Sequence, residues 1–407
     1  MGLIIATSML SLVLLGVSCA PGRDFNARLS SIVKPYNFSI AKWEFNTIFN
    51  EAKQVISGRD KKIENEVNKA TEYFSSTEQI RALKSEIEAI NTGSKQGDLA
   101  SLEAELNRLQ QQKITLEDTA EKIIERQIKD TLAQQGIFNP IDKYIKLKVS
   151  FPPINFKLDK PPHLLVISPR DRIESMREIP LKQGINLEEM ESIEAEADKL
   201  GVSSLVVELG GFGGTYPTFV TDEASLRFTI DTAAEEWLHQ YLTFKPLGFL
   251  YLLDIIGVSR NYEIATMNET LASMVSKEIG SIVHEKYYPQ PENNGSQTQA
   301  TTSGFDFNRE MRNIRRAVDK YLAQGEIEQA EEFMEQKRQY LATKGYHIRK
   351  LNQAYFAFYG TYADRPTSIS PIGPELKKLR GQSASLKDFL ETVAAMTSRQ
   401  DLIASIK

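Results

Sequence analysis

Three side chains near the middle of the chain combine the residue types of a hydrolytic centre. Glu235, Glu236 and His239 lie in the run Thr229–Leu242, whose pattern predicts a helix that begins at the end of a strand. Because residues four apart share a helix face, Glu235 and His239 can point at one atom, with Glu236 beside them. Carboxylates and imidazoles bind divalent cations, and a further carboxylate can accept a proton from water. The run therefore predicts metal-assisted hydrolysis.

The spacing is that of the zinc-binding helix motif His-Glu-x-x-His, with Glu235 at the place of the first histidine. A catalytic zinc site needs three protein ligands and one open position. In sites with a glutamate as third ligand, that residue comes from a second helix, often within Asn-Glu-x-x-Ala. The segment Asn268–Ala272 has this form, so Glu269 is the candidate. We expect the donor atoms of Glu235, His239 and Glu269 to lie within roughly 5 Å of a common point.

These residues resemble a known family of membrane-attached bacterial proteins, classed as metallopeptidases of the Glu-zincin (gluzincin-like) type. The likeness covers most of the chain from about residue 150 and includes these segments: Pro152–Phe156, His163–Arg170, Tyr216–Pro217, Asp231–Leu242, Pro246–Gly248, Asn268–Glu269 and Leu351–Tyr355. The resemblance implies His239 and Glu269 as zinc ligands and Glu236 as the general base. It also implies a peptide or protein as substrate. Glu235 departs from the histidine of the family.

The departure at Glu235 leaves several interpretations open. Two carboxylates donate more negative charge to a metal than one, so a bound water would be less acidic and hydrolysis slower. Carboxylate oxygens also favour Mn or a similar ion over Zn. The site is then an active variant, a metal site with little turnover, or an inactive relic that serves as a binding or structural module. We favour the first, because Glu236, His239 and Asn268–Glu269 all remain.

Three tyrosines offer a hydrogen-bond donor for such a site. Tyr355, Tyr359 and Tyr362 follow one another at a period close to four in a predicted helix. A tyrosine hydroxyl can stabilise an oxyanion, and Tyr355 is our candidate for this catalytic role. The alternative is that all three are core aromatic residues whose hydroxyl groups reach water.

Other polar residues have structural explanations that suffice. Three arginines on a predicted helix offer a site for a substrate carboxylate, although a solvated helix face accounts for them equally: Arg312, Arg315 and Arg316. Of the remaining histidines, His163 opens an apolar strand, His284 lies on a helix surface and His347 occupies a turn.

The N-terminus predicts attachment to a membrane. Met1–Ser18 is almost wholly apolar and precedes Cys19, the only cysteine. The run resembles a bacterial lipoprotein signal with Cys19 as the lipidated residue, and the alternative is an uncleaved membrane helix. Either interpretation places the rest of the chain on the extracytoplasmic face of a bacterial cell membrane. A single cysteine also excludes an intramolecular disulfide.

Residues 59–136 predict a helical hairpin. Leucines and isoleucines recur every three or four positions on both sides of the turn-forming segment Asn91–Gly97, as expected for an antiparallel coiled coil. Because the apolar stripes are thin, we expect the hairpin to bury only its own seam and to project as a spacer. It is also the predicted place for a protein partner.

Composition and pattern together predict an α+β protein. The chain has 407 residues, a net charge of −5 and no long basic block, which argues against a nucleic-acid partner. We predict a small mixed sheet, in a zincin-like arrangement, that leads into the metal-binding helix and a helical C-terminal lobe. The predicted segments are an anchor (1–23), an N-terminal helical segment (24–58), the hairpin (59–136), the zincin-like α+β domain (137–288), a flexible loop (289–304) and the C-terminal lobe (305–407).

Overall fold

The computed structural model describes residues 23–38, 66–140, 148, 150–289 and 305–406. Within them, helices surround two sheets of three strands each, which confirms the α+β class. Helix α1 (Arg23–Val33) opens the described chain. The anchor with Cys19, most of the predicted segment 24–58 and almost all of the loop 289–304 lie outside the described residues. No helix of the described part is long and apolar enough to cross a membrane.

The hairpin consists of α2 (Glu66–Asn91) and α3 (Leu99–Gln134), which pack against each other. Asp98 caps α3 by accepting a hydrogen bond from the Ser101 N–H. The half of the hairpin away from the turn belongs to the main core, where Tyr73, Ile123 and Ile124 are fully buried. The hairpin therefore does not bury only its own seam, contrary to our expectation. The coiled-coil seam itself stays a prediction.

The first sheet has the order β3-β2-β4 and is antiparallel throughout. It contains β2 (His163–Pro169), β3 (Arg177–Leu181) and β4 (Val202–Glu208). Every residue of β2 is buried, because the apolar run lies in the centre of the sheet between two layers. Helix α4 (Leu187–Asp198) covers one face, and its N-terminus is closed by a capping box between Asn186 and Glu189.

The second sheet is mixed and has the order β1-β6-β5, so the single predicted sheet is in fact two. It contains β1 (Phe156–Leu158), β5 (Gly211–Phe212) and β6 (Thr218–Val220). Strand β1 runs parallel to β6, and β5 is antiparallel to it. The backbone N–H groups of Phe156 and Leu158 donate to the carboxylates of Glu125 and Glu121 on α3. These bonds fasten the hairpin to the edge of the sheet.

Three helices follow the sheets: α5 (Leu226–Leu242), α6 (Pro246–Ile255) and α7 (Tyr262–Tyr287). Arg227–Ile230 lies in the first turn of α5, so the helix begins at Leu226, before the predicted run that starts at Thr229. The cause is Ser225, whose side chain accepts from the Phe228 N–H and starts the helix there. Helix α6 occupies the segment between the two predicted ligand helices.

The C-terminal lobe is helical, as predicted. It contains α8 (Phe307–Ala323), α9 (Ile327–Thr343), α10 (Gln353–Gly360), α11 (Ile372–Gln382), α12 (Leu386–Ala394) and α13 (Arg399–Ser405). The charged segment 307–343 forms two helices, α8 and α9, because Gly325 takes a positive φ of 75° between them. Helix α10 packs on the face of the first sheet that α4 leaves open.

Candidate metal centre

Helix α5 presents its polar side chains on one side. Its buried residues come in pairs four positions apart, including Ala233–Ala234 and Trp237–Leu238, and they join the main core. Glu235, Glu236 and His239 lie between these pairs and face away from the core's deepest part. The indole N–H of Trp237 donates to the Pro152 carbonyl at 2.7 Å and fixes the rotation of the helix about its axis.

The structure brings the three predicted ligands together. One donor atom from each of Glu235, His239 and Glu269 lies within 4.8 Å of the other two. His239 Nε2 and Glu269 Oε2 are 3.7 Å apart, close to the separation of about 3.4 Å between two ligands of a tetrahedral zinc ion. Asn261 caps α7 through the Glu263 and Ile264 N–H groups, and this helix carries Glu269 to α5.

A hydrogen bond from the neighbouring helix orients the imidazole. His239 Nδ1 lies 3.0 Å from Asn268 Oδ1, which accepts a hydrogen bond when Nδ1 carries a proton, and Nε2 faces Glu269. Second-shell contacts of this kind are usual for metal-binding histidines. Asn268 therefore has a positioning role that its place before Glu269 in the motif did not reveal.

One buried oxygen in the cluster lacks a partner. Glu235 Oε1 is fully buried and, among the described residues, accepts no hydrogen bond. Burial, with the neighbouring Glu236 and Glu269 carboxylates, raises the pKa of Glu235 to about 8, although His239 opposes the shift. An unpaired buried carboxylate oxygen is costly, and a divalent cation would satisfy it. The donor set thus fits a metal ion.

The carboxylate of Glu236 lies outside the ligand set, packed against the glycines of β5 and the turn that follows. An added Cβ would come within 2.6 Å of Glu236 Oε1 at Gly211 and within 2.5 Å of Oε2 at Gly213. Burial raises the pKa of Glu236 to about 7, and a hydrogen bond from the Gly213 backbone works against this rise. Gly211 belongs to β5 and Gly213 to the turn after it, and both glycines make room for the Glu236 carboxylate.

The charges of all three neighbouring carboxylates affect the pKa of His239. Burial alone would lower its pKa, but the charges of Glu269, Glu236 and Glu235 outweigh burial and raise the pKa above its ordinary value. Without a metal, the imidazole therefore tends toward the protonated form, which partly neutralises the acidic cluster. Glu236 contributes to this effect, which places its carboxylate near the cluster although it is no member of the ligand set.

Two tyrosines complete the surroundings, and neither is Tyr355. The Tyr251 hydroxyl of α6 donates a hydrogen bond to Glu269 Oε1, and its ring lies beside that of His239. Tyr362, just after α10, is close enough for the charges of Glu269, Glu235 and Glu236 to add to burial in raising its pKa well above the ordinary value. Tyr251, Tyr362 and Glu269 line a common small cavity.

Tyr355 lies on α10, and its surroundings do not include the carboxylates of the cluster. Its ring contacts Phe356 and Tyr359, and the residues that shift its pKa besides burial are Tyr359 and Arg365. Tyr362, and not Tyr355, is thus the tyrosine of this group that lies near the carboxylates of the cluster. His163 is buried in β2, as expected, and His347 is exposed.

No protein-family model, no curated protein and no solved structure matches the chain. The functional argument for this chain therefore rests on the geometry of the site.

Proposed function

We propose that the chain is a metal-dependent hydrolase with a zincin-like arrangement, membrane-anchored on the extracytoplasmic face and acting on peptides. The observation that carries the proposal is the convergence of Glu235, His239 and Glu269, whose donor atoms lie within 4.8 Å of one another. The buried carboxylate of Glu236 beside them supplies the proton acceptor that hydrolysis needs. The resemblance to gluzincin-like metallopeptidases points the same way.

Glu235, His239 and Glu269 would hold the ion, with Zn or, given two carboxylate ligands, Mn or a similar cation. When bound, such an ion acidifies a water molecule and polarises a carbonyl group. Glu236 accepts the proton of the attacking water, and its pKa of about 7 suits proton exchange near neutral pH. Tyr251 holds Glu269 in place through its hydrogen bond.

Tyr362 is suited to stabilise negative charge on the substrate. Burial and the three neighbouring carboxylates keep its hydroxyl protonated, since they raise its pKa well above the ordinary value. A protonated hydroxyl beside the ligand cluster can donate a hydrogen bond to the carbonyl oxygen as charge develops on it. We assign Tyr362 this role in the proposal, in place of Tyr355.

The edge of the second sheet offers a place for an extended peptide. Strand β5 pairs with β6 on one side, and among the described residues no strand pairs with its outer edge. The same strand packs against Glu236 through Gly211. A peptide that adds a strand there would form main-chain hydrogen bonds next to the proton acceptor, which favours broad rather than narrow sequence specificity.

The test separates metal binding from turnover in the full chain. Glu236→Gln should lower the hydrolysis of a fluorogenic peptide library by roughly 10²–10⁴-fold while the bound metal, measured by elemental analysis, stays unchanged. Glu235→His should raise both metal affinity and rate, because a neutral imidazole leaves the ion a stronger Lewis acid. A Glu235→His variant that binds no more metal than the parent would contradict the proposal.

A second candidate function is a catalytically inactive envelope module that binds or organises a partner. It is favoured by the hydrogen bonds that already satisfy part of the cluster, Tyr251 to Glu269 and His239 to Asn268. In this case Glu236→Gln would leave every measured property unchanged. The predicted protein partner at the helical hairpin belongs to this alternative.

A further inference from the structure

A cavity of about 570 Å³ lies beside the candidate metal centre, within the size range of small-molecule sites. It is enclosed by α7, α8, α10 and the segment 365–372. Its wall combines apolar and aromatic side chains with hydroxyl groups, among them Phe307, Met311, Tyr355, Phe356, Ser368 and Ser370. Tyr262 lines both this cavity and the smaller one that contains Glu269. The two spaces therefore share a wall.

Three arginines line the cavity, and two of them are neutralised by carboxylates. Arg315 Nε lies 3.0 Å from both carboxylate oxygens of Asp319. Arg399 forms a salt bridge with Glu375 at 2.7 Å and another with Glu263 at 3.2 Å. Both arginines are therefore already paired with carboxylates of the chain.

Arg365 differs from these two, because no carboxylate of the described residues lies within salt-bridge distance of it. Its guanidinium instead lies over two aromatic rings, 4.4 Å from the centroid of Tyr362 and 5.9 Å from that of Tyr359. Stacking occupies a face of the planar group and leaves its N–H donors, which point outward in the plane, for another partner. Such a fork matches a carboxylate with two parallel hydrogen bonds.

We propose that this cavity is a binding site for a carboxylate carried on an aromatic or apolar body of about one or two amino-acid residues. Arg365 binds the carboxylate, and the apolar wall around Phe307 and Met311 receives the body. The site goes beyond the hydrolase function and needs no metal. It also replaces the expectation for Arg312, Arg315 and Arg316, because Arg312 donates to the Pro366 carbonyl and Arg316 is exposed outside the cavity.

The experiment compares two probes that differ only in charge. N-acetylphenylalanine carries the carboxylate, and N-acetylphenylalaninamide is its neutral counterpart. Binding to the full chain is measured by ligand-observed NMR titration in the presence of EDTA, so that the outcome is independent of the metal centre and of hydrolysis. We expect the acid to bind at least about tenfold more tightly than the amide.

Variants locate the interaction. Arg365→Gln should weaken binding of the acid by about tenfold or more and remove the preference over the amide, and Arg365→Lys should restore part of it. The matched control Arg316→Gln, an exposed arginine of α8, should change neither affinity. Ser368→Trp should block both probes, because the indole fills the cavity.

Three results would overturn the proposal. The first is equal affinity for acid and amide in the parent chain. The second is an Arg365→Gln variant that binds the acid as tightly as the parent does. The third is the absence of any binding of the acid up to about 10 mM. Failure of the hydrolase proposal would leave this titration unaffected, since its readout is binding without metal.

Discussion

At the scale of single residues, the absence of two side chains sets the position of the proposed general base. Glu236 fits against β5 and its turn only because Gly211 and Gly213 have no Cβ where the carboxylate oxygens lie. The Gly213 backbone also contributes a hydrogen bond to the same carboxylate. Gly211 and Gly213, which lie outside the helix motif, thus help to hold Glu236 in position.

The substitution Gly213→Ala should therefore impair catalysis. Its Cβ would lie 2.5 Å from Glu236 Oε2, so the carboxylate has to move away from the place where it accepts a proton. We expect kcat to fall at least about tenfold with metal content unchanged, as measured by peptide hydrolysis and elemental analysis. Gly214→Ala is the control, because the nearest atoms that its Cβ would meet belong to the Phe212 ring and not to Glu236. Equal losses in both variants would refute the assignment.

The spacing sufficed to predict that Glu235 and His239 lie close together, since positions four apart on a helix share a face. Their role as metal ligands stays a prediction. The Asn-Glu-x-x-Ala form likewise led to Glu269, which lies 3.7 Å from His239. The tyrosines were a different case. A period close to four places Tyr355 and Tyr359 on one side of α10, but Tyr362 follows the end of the helix, where periodicity no longer indicates direction.

At the scale of elements, the hairpin is a structural part of the domain. Ile124 is completely buried against the main core, whereas Ile114, ten residues earlier on the same helix, is 63% exposed. Ile124→Ala should lower the free energy of unfolding by about 2–5 kcal/mol, because it leaves a cavity in the shared core. Ile114→Ala should change it by less than about 0.5 kcal/mol. Chemical denaturation of both variants measures the difference, and equal values would restore the spacer interpretation.

A carboxyl group of the hairpin makes the stability of the fold depend on pH. Burial raises the pKa of Glu117 to about 7; Lys113 opposes the shift, while Asp222, Asp118 and Asp159 add to it. The folded chain then binds more protons than the unfolded chain between about pH 4.5 and 7, so this group's contribution to stability is lost as pH rises through that window.

Glu117→Gln should remove this pH-dependent loss. At pH 8 the variant should be more stable than the parent by about 1–2 kcal/mol, and the difference should disappear below about pH 4.5. Thermal unfolding at several pH values tests this expectation. Glu103→Gln, on the exposed part of the same helix, is the control and should show no such trend. A difference for Glu117→Gln that does not vary with pH would contradict it.

The sequence patterns predicted the hairpin but not its packing against the main core. The stripe through Leu99 and Leu106 is narrow enough for one seam, yet around Ala120–Ile124 the apolar positions widen to cover a second face. This widening was available in the sequence, but the surface it packs against comes from α5 and α7, far along the chain. Long-range packing of this kind does not follow from local periodicity.

At the scale of the whole molecule, membrane attachment concerns Met1–Cys19, which lies outside the described residues, and it stays a prediction. Cys19→Ser should leave a precursor with its leader uncleaved and without incorporated fatty acid, because lipidation requires the thiol. Metabolic labelling with a fatty acid and measurement of the mature mass test this expectation. A Cys19→Ser precursor that is processed like the parent would rule lipidation out.

If the chain is the hydrolase proposed above, the glycines around Glu236 have a consequence for how its activity is lost during evolution. Every amino acid other than glycine carries a Cβ, so almost any missense change at Gly211 or Gly213 brings an atom against the carboxylate of Glu236. A descendant protein can thus lose its activity while the sequence of its Glu-Glu-x-x-His helix stays unchanged. When descendant sequences are compared, the residues at these two glycine positions then distinguish active proteins from inactive ones. The helix motif alone does not make this distinction.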